Sequence, residues 1–260
     1  MRAVLFLLIG LCAASPALGW SKDGHRVVCT IAWDETTDGA RKKIGALLGI
    51  STKAEFAEAC LWLDSQADRK DWHVVFVPKG ARAIEPDRDC AKGCALTHFE
   101  RSLGILRSNA DTNARAEALK IASHLIADLH QPLNIGFAED GGGASINGTF
   151  RGRAVTLRAM WEQELLGTIL HPDSPNGFLT VYGFFSLEGR VPRAAATTPL
   201  AWANESLWIM RTPSTGYIGN PGGLDYDDTY VKQNRRVVLE QLDKAGVRLA
   251  ALLTEIFDGT

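Results

Sequence analysis

Apolar residues recur at helical spacing along most of the chain, and the pattern predicts helices in sequence order. Gly24 to Glu35 places Val27, Val28, Ile31 and Ala32 on one side, and Thr36 and Thr37 are suited to cap a second helix ending near Gly49. Lys53 to Lys70 reads as a third helical stretch carrying Phe56, Cys60, Trp62 and Leu63. Trp72 to Pro78, W-H-V-V-F-V-P, is the only convincing extended segment, short and β-branched. A loop from Gly80 to Gly93 precedes a helix from Ala95 to about Arg107, and Thr112 opens a central helix running through Asp128. Pro132 ends it, because the residue before a proline disfavours helical dihedrals. After the loop G-F-A-E-D-G-G-G come a helix containing Trp161 to Leu166, a less regular stretch from Pro172 to Pro192, and helices over Thr197 to Met210 and Tyr226 to Phe257. The last keeps Val238, Leu242, Leu249, Leu252 and Ile256 on one face. No repeat, low-complexity linker or charge run divides the chain. The expected fold is all-α: one domain of packed helices over residues 20–260.

The first nineteen residues stand apart from this pattern. M-R-A-V-L-F-L-L-I-G-L-C-A-A-S-P-A-L-G has one positive charge, an apolar core and small residues at Ala17 and Gly19. It reads as a signal peptide over 1–19, cut between Gly19 and Trp20. Its apolar run is too short for a membrane anchor, and no later stretch approaches the ~20 apolar residues a span needs. The expectation is a secreted or periplasmic protein without stable membrane insertion, and a monomer. The formal net charge is −2, and −3 once Arg2 leaves with the leader. No basic surplus advertises nucleic-acid binding, so any contact with polyanions must be local.

An oxidising compartment changes the reading of the cysteines. Of five, Cys12 belongs to the leader; Cys29, Cys60, Cys90 and Cys94 remain. Cys90 and Cys94 are close enough to close a tight loop, and Cys29 and Cys60 then pair by default; a zinc site made of the four is the less favoured alternative outside the cell. Asn147-Gly-Thr149 and Asn204-Glu-Ser206 match the glycosylation acceptor pattern, which matters only in a eukaryotic secretory host.

Candidate chemistry centres on K-I-A-S-H-L-I-A-D-L-H-Q-P-L-N, Lys120 to Asn134. His124 and Asp128 are one turn apart, so an imidazole and a carboxylate leave the same helix face, a pairing that suits zinc. His130 points to another face and reads as a hydrogen-bonding core histidine. His25, Asp64 and His73 could join the pair, but spacing alone does not connect them; each is equally consistent with an ordinary surface or capping role.

Six fragments occur in order: W-S-K-D-G-H-R-V-V, A-C-L-W-L-D, D-W-H-V, H-L-I-A-D-L-H-Q-P-L, G-F-x-x-D-x-G-G and W-A-x-E-S. Together they resemble the secreted zinc-dependent single-strand nucleases of the S1/P1 type, a family related to bacterial phospholipase C. The resemblance covers nearly the whole chain after the leader. It implies an all-α fold with three zinc ions in a cleft. Asp64, His73, His124 and Asp128 match the ligands of one zinc. Trp20, through its free amino group and carbonyl oxygen, and His25 match a second, with Asp128 bridging the two. Such a pair acidifies a shared water for in-line attack on phosphorus. The implied activity is hydrolysis of phosphodiester bonds in single-stranded nucleic acid, RNA or DNA, or in small phosphodiesters, with Asp64 and Asp128 central to catalysis.

The third site departs from the family. Its ligands would fall at Asn134, Arg158 and Glu162, in H-Q-P-L-N and T-L-R-A-M-W-E. Glu162 could still serve as a ligand, but Asn134 is a poor zinc ligand, and a guanidinium has no lone pair to offer. Two zinc ions are therefore expected, with the third site empty or weakly occupied. Arg158 either contacts phosphate itself or pairs with Glu162 and fills the vacated space. The aromatic residue usual after the ligand at position 73 is replaced by Val74, and the family loop reads Gly142-Gly143-Ala144, which weakens the case for base stacking. Two alternatives stay open: a phospholipase C-like hydrolase, and a catalytically weak or inactive zinc-binding homologue that binds phosphate or a partner.

Overall fold

The computed structural model describes residues 19–170 and 198–259. Residues 1–18 of the expected leader, the Pro172 to Pro192 stretch and Thr197 lie outside the described residues.

Helices dominate. The first six are α1 (Lys22–Glu35), α2 (Asp38–Leu48), α3 (Lys53–Ala59), α4 (Pro86–Asp89), α5 (Ala95–Arg107) and α6 (Thr112–Leu129). Local chemistry sets their ends. Thr37 accepts from the Ala40 N–H to start α2, and Thr52 with Glu55 forms a capping box on α3. Asp111 accepts from the Ala114 N–H at 2.9 Å to start α6. Every residue from Ile121 to Leu129 is buried, so α6 is enclosed on all sides and forms the axis of the molecule. It packs against α5, while α1 packs against the long C-terminal helix Asp228–Asp258. No helix among the described residues is long and apolar enough to cross a membrane. Both expected disulfides, Cys29–Cys60 and Cys90–Cys94, are formed.

Three sequence expectations need correction. The third helical stretch does not run to Lys70: α3 ends at Ala59, and two 3-10 turns follow, Trp62–Ser65 and Ala67–His73. The extended segment begins only after His73, which closes the second turn. A loop expectation at Gly80 to Gly93 overlooked the short α4.

A small sheet was not expected at all. Strands β1 (Asn147–Phe150) and β2 (Arg153–Thr156) pair antiparallel in the register Asn147↔Thr156, and β3 (Leu224–Asp225) adds parallel to β1. The two-residue turn places Arg151 at φ 50 and Gly152 at φ 75, a turn whose twist suits a hairpin. Arginine at its first position hides the usual Asn-Gly signal. The hairpin delivers Thr156, whose hydroxyl caps the helical run that follows: Leu157–Ala159, a π-helical turn Met160–Glu164, then Leu165–Leu170.

His130 is fully buried; Nδ1 donates to the Ile126 carbonyl at 2.7 Å and Nε2 accepts from Arg248 at 2.6 Å. Burial, then the charge of Arg248, pushes its pKa down to about 3. The unfolded chain therefore binds this proton below about pH 6.5 while the folded one does not, so stability falls as pH drops from there toward 3. In His130→Gln the pH dependence of chemical unfolding should flatten across that window. An identical slope in variant and parent would show that His130 carries none of the acid sensitivity.

Candidate metal centre

Four segments bring the site together. α1 supplies His25 from its first turns, the 3-10 turn after α3 supplies Asp64, the next turn ends in His73, and α6 supplies His124 and Asp128. The segment after His73 is zipped to the loop after α6: Val75 N–H donates to the Asn134 carbonyl at 2.8 Å, and Val77 N–H to the Gly136 carbonyl at 2.9 Å.

Asp128 is the hub. It is fully buried, and its two oxygens divide between two groups of nitrogens. Oδ2 lies 2.9 Å from His73 Nδ1 and 3.3 Å from His124 Nε2. Oδ1 lies 3.4 Å from His25 Nε2 and accepts from Asn134 Nδ2 at 3.0 Å. Asp64, the one exposed member, reaches to 3.6 Å from His124 Nε2.

The outer nitrogens of two rings are pinned by backbone carbonyls. His124 Nδ1 donates to the Cys60 carbonyl at 2.7 Å and His25 Nδ1 to the Ser21 carbonyl at 3.3 Å. Each bond leaves the Nε2 lone pair facing the site, as metal-ligating histidines are held. The two rings stack with centroids 3.9 Å apart. His124 Nε2 and His73 Nδ1 lie 3.1 Å apart, and His25 Nε2 is buried without a hydrogen-bond partner. His25, His124 and Asp128 form one group with ligand atoms within 4.8 Å of one another, and Asp64, His73 and His124 a second. Nitrogen and oxygen donors crowded this closely, with an orphaned buried nitrogen, fit a metal such as zinc.

The charges follow. Burial opposes ionisation of Asp128, but the imidazoles of His124, His25 and His73 overcome it and hold its pKa well below the usual range. Burial lowers the His25 pKa, yet Asp128 and then Asp64 more than reverse it, so the net shift is upward. His124 is lowered, by burial first and then by the nearby His25.

Trp20 is 1% exposed, its indole packed beside Gly24. The backbone ahead of it runs against the hub: a Cβ on Gly19 would fall 2.1 Å from Asp128 Oδ1. Gly19 N–H donates to Glu162 Oε1 at 3.3 Å, and Ser21 N–H to the Glu162 carbonyl at 3.1 Å.

Asn134, Arg158 and Glu162 form a buried cluster on the far side of Asp128. Arg158 donates to Asn134 Oδ1 at 2.6 Å and to the Leu133 and Gly141 carbonyls at 3.3 Å each. Its Nε lies 2.6 Å from Glu162 Oε1 as an ion pair, without the N–H aimed at that oxygen. Burial, against the pull of Arg158, raises the Glu162 pKa to about 7. These three residues do not fit a third zinc.

Sequence reasoning missed the Ser21 and Cys60 carbonyls and the Asn134–Asp128 bond; backbone acceptors leave no mark in residue type. The Cys29–Cys60 disulfide lies directly beneath the site, one turn along α1 from His25 and at the carbonyl that orients His124. Replacing both cysteines by alanine should cost a few kcal/mol of stability and weaken zinc retention in a competition with a chelator. Unchanged zinc retention would make the bridge a pure staple.

A model of the S1/P1 nuclease family matches residues 20–258. Endonuclease 2 of Arabidopsis thaliana is 28% identical over 289 residues, covering 98% of this chain and 96% of the relative. Nuclease S1 of Aspergillus oryzae is 24% identical, covering 95% and 96%, and Nuclease P1 of Penicillium citrinum 25%, covering 91% and 97%.

Proposed function

The chain belongs to the S1/P1 nuclease family and is a hydrolase of phosphodiester bonds, and we propose that it is a secreted two-zinc enzyme cleaving single-stranded nucleic acid. The observation that carries this reading is Asp128: a buried carboxylate with one oxygen toward His25 and the other toward His73 and His124. Asp64, His73, His124 and Asp128 would hold one zinc. His25, Asp128 and the backbone of Trp20, freed at its amino end, would hold the other. Bound zinc supplies Lewis acidity, which brings the pKa of water toward neutrality and offsets phosphate charge. The chain's own residues fix the donors. Cys60 and Ser21 hold the imidazoles in the tautomer that presents Nε2, and Asp128 spaces the two groups. Asp64 lies at the exposed edge, where a phosphodiester would enter. Val74 is buried, so it offers no stacking platform for a base, and grip on the substrate should rest more on phosphate than on base identity.

The test is turnover by the protein beginning at Trp20, on single-stranded DNA, RNA and phosphatidylcholine. Cleavage of either nucleic acid, abolished by a chelator, is expected. Hydrolysis of the lipid alone would reassign the substrate to the phospholipase C class. Zinc binding with no turnover on any of the three would leave a binding protein.

A further inference from the structure

We infer that Arg158 and Asn134 form a non-metal clamp that sets the orientation of Asp128, in the position where the family resemblance implies a third zinc. The inference rests on the reading of Asp128 as the ligand shared by two zinc ions.

A guanidinium only donates hydrogen bonds. Asn134 must therefore turn its carbonyl oxygen to Arg158, 2.6 Å away, and that choice fixes the other end of the amide. The Asn134 Nδ2 group faces Asp128 Oδ1 at 3.0 Å and occupies one of its lone pairs. The remaining lone pair is left on the side of His25 Nε2, 3.4 Å away, while Oδ2 stays with His73 and His124. Without this donor the carboxylate can rotate about its Cβ–Cγ bond, and the division of its oxygens between the two groups is lost.

The clamp is rigid because its base is. Arg158 is tied to the Leu133 and Gly141 carbonyls as well as to Asn134 and Glu162, and it is 2% exposed. Gly142 makes the fit: a Cβ there would fall 2.7 Å from Arg158 Nη1 and 2.3 Å from the Leu133 carbonyl oxygen. With these acceptors engaged, the guanidinium is directed at the protein. Of the two roles open to Arg158 from sequence, the geometry favours holding the site over touching phosphate.

Asn134→Asp separates this role from simple packing. The new carboxylate still accepts from Arg158, so that contact is kept, but ionised it cannot donate to Asp128 and instead sets a second negative charge beside it. Zinc and cobalt titrations of the parent and variant, each beginning at Trp20, give the readout. The weaker metal site should lose about tenfold or more in affinity, and the cobalt d–d absorption should change, as expected when a second-sphere partner of a ligand is removed. Arg158→Lys is the second variant: a single ammonium cannot hold the same acceptors, so it should shift the cobalt spectrum in the same direction by less. Unchanged affinities and spectra in both variants, with the parent binding two ions, overturn the clamp alone. Tighter binding in Asn134→Asp also overturns it, since position 134 would then be open to metal. A parent that fails to bind two ions overturns the underlying two-zinc reading instead.

Discussion

Asp128→Ala should release both zinc ions and lower turnover on single-stranded DNA by about a thousandfold or more. The expectation follows from the shared carboxylate. Oδ2 sits among His73 and His124 and Oδ1 beside His25, so one truncation removes a ligand from both groups. Each catalytic metal is worth several kcal/mol of transition-state stabilisation, and each 1.36 kcal/mol is about tenfold in rate. Removal of the carboxylate also takes away the anion that offsets the positive charge of both metals, so the three crowded imidazoles hold them less tightly. His25→Ala touches only one group and should release one zinc. Elemental analysis of the two variants after gel filtration is the check. Equal, partial losses from both would show that the oxygens of Asp128 do not serve two ions.

The second large effect concerns the amine that cleavage before Trp20 would create. Any variant that retains residues ahead of Trp20 should lose one zinc and most of its activity. With Gly19 present there is no free α-amine to act as a ligand, and the peptide runs against Asp128 so closely that only glycine fits, a Cβ being placed 2.1 Å from Oδ1. Cleavage between Gly19 and Trp20 would expose an α-amine, a group whose ordinary pKa is about 8 and which must shed its proton to bind metal. Mature and extended proteins can be compared for zinc content and turnover in parallel. Full zinc loading and full activity in the extended form would remove Trp20 from the site.

Much of this architecture was legible in the residues. α5 and α6 were readable because periodicity, the Asp111 cap and Pro132 agree with one another. The stretch after α3 was not, because its helical pattern yields to two 3-10 turns that present Asp64 and His73. Local propensity there gives way to tertiary placement. The sheet escaped notice because Asn147-Gly-Thr149-Phe150 lacks a β-branched run and its turn begins with Arg151.

The site divides in the same way. His124 and Asp128 share one helix face and could be paired by spacing. His25, Asp64 and His73 come from separate elements, so only the ordered family motifs joined them. The partners that orient them are backbone carbonyls, set by the fold rather than by residue type. Asn134 and Arg158 read from sequence as a damaged zinc site. Their mutual bond, and the bond from Asn134 to Asp128, appear only in three dimensions.

A two-zinc phosphodiesterase predicts a definite outcome when zinc is added to the metal-free protein that begins at Trp20 while hydrolysis of single-stranded DNA is followed. Activity should rise and level off at two zinc ions per chain. A plateau that needs a third ion, or hydrolysis that proceeds without zinc, would contradict it.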